Sequence, residues 1–163
     1  MKTFRSFASF ATHLQLLAIE TKLVKHAVLE AAAEEVQETA KGMIGFYHSD
    51  PHWEALSPEY EAQKVRDGFE ADAPLLRTGE MRESIKYVVT TDGHAAVIGS
   101  DDQKMVWHEL GTSRMPPRPV MGPAGIHSAP RVALTASKMI TEWLSGRGVK
   151  KPVVHKNTDG VTR

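Results

Sequence analysis

The first fifty residues contain no proline, and that absence constrains the fold more than any other feature. Proline lacks a backbone N–H and its ring clashes with the carbonyl four residues back, so a long helix needs a proline-free run. Within this run Phe4, Phe7, Phe10, Leu14 and Leu17 recur at spacings of three and four. Leu29, Ala33, Val36, Ala40 and Met43 repeat the pattern, and Ile19, Leu23 and Ala27 join the two stripes with a drift in phase. These spacings put each stripe on one face of a helix. They permit one long amphipathic helix or a break near 18–21. Gly42 and Gly45 weaken its end, and Pro51 stops it.

Downstream the punctuation changes. Ser57-Pro58-Glu59 reads as a helix start, with serine as cap, proline at the first position and an acid in the first turn. That short helix runs through Val65 and ends at Asp67-Gly68. Thr78-Gly79-Glu80 offers another start, with Thr78 as the cap and one or two turns reaching Ile85. Residues 86–91 are β-branched and aromatic, Asp92-Gly93 is a tight-turn signal, and 94–98 is the returning strand. Gly99 begins a turn, and 103–110 forms a short helix ended by Gly111. The segment 114–120 carries Pro116, Pro117 and Pro119, so it is neither helix nor central strand. It reads as an extended arm or an edge strand. A last helix covers about 123–144, with Ser128 and Pro130 marking a restart or kink and Val132, Thr135, Met139 and Trp143 forming its apolar face.

Charge and cysteine usage narrow the function. Twenty basic and twenty acidic residues leave a formal net charge of zero. A general nucleic-acid binder needs a clear basic excess to release counterions, so that class is disfavoured. Weak self-repulsion instead suits a subunit that packs against its own copies. There is no cysteine, which excludes disulfides, thiolate metal sites and cysteine nucleophiles. No run resembles a signal peptide or reaches the roughly 18 apolar residues of a membrane span. The segment 146–163 has five basic residues against Asp159, leaving a body of formal charge −4 (0 minus +4). Its composition predicts a mobile basic tail.

No catalytic set emerges. His48, Asp50 and His52 are zinc-ligand types, but their loop has neither a helical i,i+4 frame nor an HExxH signature. His108 and Glu109 are adjacent, so on a helix they point about 100° apart. No phosphate loop is present, and Trp53, Trp107 and Trp143 read as anchors of a core or interface. The sequence therefore predicts no enzyme, no cofactor and no metal.

The order of short motifs carries a resemblance. Trp53-Glu54-Ala55-Leu56, then a Thr78-Gly79-Glu80-Met81-Arg82-Glu83-Ser84-Ile85 segment, then a strand pair ending in Val97-Ile98-Gly99-Ser100 follow one another. Next come His108-Glu109-Leu110-Gly111-Thr112 and Pro116-Pro117-Arg118-Pro119-Val120. Over about 20–145 this arrangement resembles the tailed-phage family of small tail-component and virion morphogenesis proteins. The chain departs from that family's pattern at Leu110 and Val120, where the family has aromatic residues. The resemblance implies a ring subunit at the head–tail junction or the upper end of the tail, usually six-fold, serving tail completion or head–tail joining. Implied partners are copies of itself, neck or connector proteins, and tail-tube or tail-terminator proteins. DNA would be only passing cargo, no membrane is involved, and the protein would be made in the host cytoplasm and reside in the virion.

The expected fold is α+β, with a long N-terminal helix and a C-terminal helix packed on a small antiparallel β-sheet. The 86–98 hairpin would lie at its centre, with a further strand from 114–121. One domain would cover 1–145 and the tail 146–163. Residues expected to set fold and contact geometry are Thr78, Gly79, Ser84, Ile85, Gly99, Glu109, Gly111, Thr112, Pro117, Arg118 and Pro119. Gly79 and Gly111 would permit close turns, and Arg118 would pair with a neighbour's carboxylate if the arm lies on an adjacent subunit. Two rival readings are a nucleic-acid-binding module acting through the basic tail and a small metal-dependent hydrolase using the 48–52 loop.

Overall fold

A computed structural model describes residues 3–148. The order is α1 (Phe7–Met43), α2 (Pro58–Arg66), α3 (Glu80–Glu83), β1 (Ile85–Val89), β2 (Ala96–Ser100), α4 (Gln103–Leu110) and α5 (Met121–Leu144). This is the α+β arrangement that the sequence predicts. The proposed tail boundary falls at its edge, and 149–163 lie outside the described residues.

α1 starts at a reciprocal cap. The Ser6 hydroxyl accepts the Ser9 N–H at 3.2 Å, and the Ser9 hydroxyl accepts the Ser6 N–H at 3.3 Å. The helix then runs 37 residues with no break at 18–21, a length of about 55 Å at 1.5 Å per residue. Its C-terminal stripe is buried or half-buried, but most of the N-terminal stripe is not: Phe7, Phe10 and Leu14 are exposed, Phe4 is half-buried and Leu17 is buried.

α5 lies antiparallel along α1. Arg131 bonds to Glu35 and to the Thr39 hydroxyl, Trp143 Nε1 donates to Glu20 at 3.2 Å, and His13 Nε2 sits 3.3 Å from the Leu144 carbonyl oxygen. The restart expected at Ser128 does not occur. Ser128 is fully buried inside the helix, its hydroxyl donating to the Gly125 carbonyl, and Pro130 sits on the exposed face of an unbroken helix. Ala124, Ser128 and Met139 are buried on the packed side, and proline removes one backbone bond at position 130. Val132, Thr135, Met139 and Trp143 do face inward, half-buried or buried.

The sheet has two antiparallel strands, with Ile85 opposite Ser100 and Val89 opposite Ala96. The strands therefore sit one residue earlier and two residues later than the sequence suggests. Ile85 belongs to β1, not to a helix, and Gly99 pairs with Lys86 inside β2 instead of turning the chain. The loop closes where the Thr90 N–H reaches the Ala95 carbonyl at 2.9 Å and the Gly93 N–H reaches Thr90 at 2.8 Å. No third strand forms from 114–121 among the described residues. Alternate prolines leave too few donors for a ladder.

The core lies where the C-terminal end of α1, the sheet, α4 and the start of α5 converge. Ala40, Met43, Ile44, Trp53, Met81, Ile85, Met105, Val120 and Ala124 form one buried cluster. The far halves of α1 and α5 extend away from it as a helix pair. Their mutual seam buries only His13, Leu17, Val24 and Met139.

Candidate functional site

The segment after α4 is held by its own chain. Gly111 has φ 74, and a β-carbon there would stand 3.0 Å from the Pro117 nitrogen, so only glycine permits this crossing. Thr112 and Met115 exchange N–H···O bonds at 2.9 and 3.3 Å, and the Thr112 hydroxyl accepts the Arg114 N–H at 3.3 Å. Between Pro117 and Pro119 the one available N–H is that of Arg118, and it donates to the His108 carbonyl at 2.6 Å.

Arg118 itself is only 5% exposed. Its Nη2 donates to the carbonyls of Glu54 and Ala55 at 2.9 and 3.4 Å. The expected pairing with a neighbour's carboxylate is therefore not what this side chain does; it staples 114–120 to the loop after Trp53. Glu109 has an equally specific task. Its carboxylate accepts the N–H groups of Val120, Met121 and Gly122 at 2.7, 3.1 and 3.2 Å. Val120, the N-cap of α5, supplies no side-chain bond, so Glu109 caps that helix from another element.

The upstream candidates form a second network. The cap of α3 is Gly79 at φ 85, not Thr78, whose hydroxyl makes only a 3.4 Å contact with the Glu80 N–H. The Ser84 and Ser100 hydroxyls meet at 2.6 Å, and Ser100 accepts the Asp102 N–H at 3.0 Å. Asp102 in turn caps α4 by accepting the Lys104 N–H at 2.9 Å. Ile85 is fully buried, and its carbonyl takes a bond from Gln37 at 2.7 Å, tying the hairpin to α1. Gly99 has open space around it and an ordinary φ, so nothing in the fold requires glycine there.

These two networks wall a cleft of about 880 Å³ between 54–60, 69–81, α4 and the proline segment. Leu75 on its wall holds a left-handed φ of 62, a conformation that costs a non-glycine residue about 1–2 kcal/mol. Its cations are largely engaged already: Arg77 pairs with Asp67 at 2.6 Å, and Lys104 with Asp102 at 3.4 Å. The hydroxyls of Ser57 and Thr78 serve backbone N–H groups. Behind it, Lys64 is buried with its ammonium on the Ala71 and Ala73 carbonyls at 3.3 and 2.7 Å. Burial lowers its pKa, with Glu70, Asp72 and Glu61 opposing.

No protein-family model, curated protein or solved structure matches the chain.

Burial pushes the His108 imidazole below its ordinary 6.5; Arg118 and Lys104 lower it further and Asp102 opposes them. The unfolded chain takes up a proton near that ordinary value while the folded chain resists it. Stability present above 6.5 is therefore lost as pH falls toward the lowered value. The melting temperature is expected to drop between about pH 7 and about pH 5, and the drop should shrink in His108→Gln. Equal pH dependence in the two chains would remove His108 as its source.

The rival sites fare differently. His48 Nε2 lies 2.9 Å from the Met43 carbonyl oxygen and its ring meets Trp53 edge-on, while His52 and Asp50 point outward. Among the described residues no three His, Asp or Glu side chains are grouped to hold a metal ion. None of the described helices is long and apolar enough to cross a membrane.

What the sequence did not reveal is the surface of the helix pair. On one side of α1 Phe7, Phe10 and Leu14 are exposed; on another, Leu16, Ile19 and Leu23. On α5, Ile126, Leu134, Ile140 and Leu144 are exposed as well. Periodicity places the first α1 stripe on one face of an amphipathic helix and goes no further. A repeat of three and four says that something covers a face, not whether the cover belongs to the same chain.

Proposed function

We propose that this chain is a structural virion protein that forms a ring at the head–tail junction or upper tail of a tailed phage, in tail completion or head–tail joining. The observation that carries the reading is the helix pair, which presents large apolar side chains to solvent on more than one side. Phe7 is 84% exposed, Ile19 76% and Ile126 74%. Monomeric proteins rarely expose contiguous apolar patches beyond a few hundred Å². A subunit in a closed ring needs two different complementary faces, and apolar ridges on separate helices supply them.

The motif order from Trp53 to Val120 adds the phage context. The motif residues that run from Thr78 to Pro119 build the body that carries the helix pair rather than the contact itself. In this role the partners are copies of the chain and the neck, connector, tail-tube or tail-terminator proteins on either side, with DNA only passing through. Light scattering and electron microscopy of the purified protein, alone and with neck and tail components, test the reading. Closed rings, six-fold by the family resemblance, are the expected result. A monomer that persists with those components present would count decisively against it.

A further inference from the structure

Resting on that ring reading, we propose that the Phe7, Phe10 and Leu14 ridge of one copy seats in the outer groove of α5 in the next copy, as a head-to-tail contact. Ile126, Ala133 and Ile140 recur every seven residues on the solvent side of α5, and Ala129 and Ser137 lie between them, all exposed. Small side chains at 129, 133 and 137 leave a trough bounded by Ile126 and Ile140. Its length is roughly 21 Å, since each residue of a helix rises 1.5 Å. The α1 ridge spans roughly 10 Å by the same measure and carries two aromatic knobs. Phe4 extends it, its ring 5.3 Å from that of Phe10.

Both faces are also free of formal charge. On α5 every residue three or four positions from Ile126, Ala133 or Ile140 is free of Asp, Glu, Lys and Arg. The same holds around Phe7, Phe10 and Leu14. The other α1 ridge, Leu16, Ile19 and Leu23, shares its flank with Glu20 and Lys22 and would drag charges into an apolar groove. Phe7, Phe10, Leu14, Ile126 and Ile140 together expose on the order of 500 Å² of apolar area, taking about 180 Å² for a whole large side chain. That is more than half of the roughly 900 Å² apolar share of a standard interface of about 1,600 Å², and Phe4, Ala129 and Ala133 add to it. Because ridge and groove are different surfaces on one chain, each copy offers both, and the contact propagates until it closes.

The absence of cysteine gives a clean test. The full chain is made as Phe7→Cys, as Ala133→Cys and as the double variant, and each is mildly oxidised and run on a non-reducing gel. Within one chain these positions cannot meet: Leu144 lies beside His13, so Phe7 and Ala133 are separated by roughly 25 Å along the pair. The double variant is expected to give a ladder of covalent dimers and larger species, while each single variant stays monomeric. Efficient dimerisation of Phe7→Cys alone would mean a two-fold contact between α1 ridges and overturn the head-to-tail pairing. Failure of the double variant to cross-link while light scattering shows multimers would keep the ring reading and overturn this pairing. Monomers in both measurements would overturn the two together.

Discussion

Replacing Glu109 with alanine should lower the stability of the fold by about 3 kcal/mol, the cost of stranding several amides that shared one charged acceptor. The carboxylate takes three consecutive N–H groups at the start of α5, and the helix has no side-chain cap or first-turn acid of its own. α5 packs along most of α1, so loosening its first turn also loosens Val120 and Ala124 in the core. A melting temperature about 6–12 °C below that of the parent is the expected reading for a domain of this size. Glu109→Gln keeps an acceptor but loses the charge and should fall between the two. A melt of Glu109→Ala indistinguishable from the parent would show that water replaces the carboxylate at no cost.

Arg118→Ala should be comparably severe, at about 3 kcal/mol, because a buried staple is lost along with its packing. The carbonyls of Glu54 and Ala55 lose their donor, and the aliphatic stem leaves a void beside the cleft. Arg118→Lys is expected to recover part of the loss, since both carbonyls are reached from the single Nη2 and one ammonium can serve two carbonyls, as that of Lys64 does. The decisive comparison is between unfolding and assembly. Any loss of oligomer in Arg118→Ala should track the loss of folded protein in denaturant melts, because the guanidinium is engaged within its own subunit. Loss of assembly with an unchanged melt would instead place Arg118 at a contact between subunits.

Those two residues also show how far the sequence could be read. α2, α4 with its Gly111 stop, and the β-hairpin announce themselves through caps, turns and β-branched runs, all of them local signals. Residues 109 and 118 stood out in the motif order, but their tasks did not. Glu109 reaches 11 to 13 positions along the chain and Arg118 reaches back to 54, after reversals that no local pattern encodes. The proline segment was read as an edge strand or arm because its composition forbids a helix. Its path across its own domain is fixed by contacts distant in sequence, the Arg118 N–H on His108 and the Arg118 side chain on Glu54 and Ala55. Ser128 and Pro130 misled for the converse reason: they are helix-start residues by propensity, and tertiary packing against α1 overrides them.

α1 runs unbroken from Phe7 to Met43, with a glycine only at its last turn. Mechanically it is a lever whose short arm is clamped in the core beside Trp53 and whose long arm ends at the phenylalanine ridge. That arm is braced by α5 at His13, Glu20 and Glu35, so the phenylalanine ridge stands at the end of a two-helix beam rather than on a free rod.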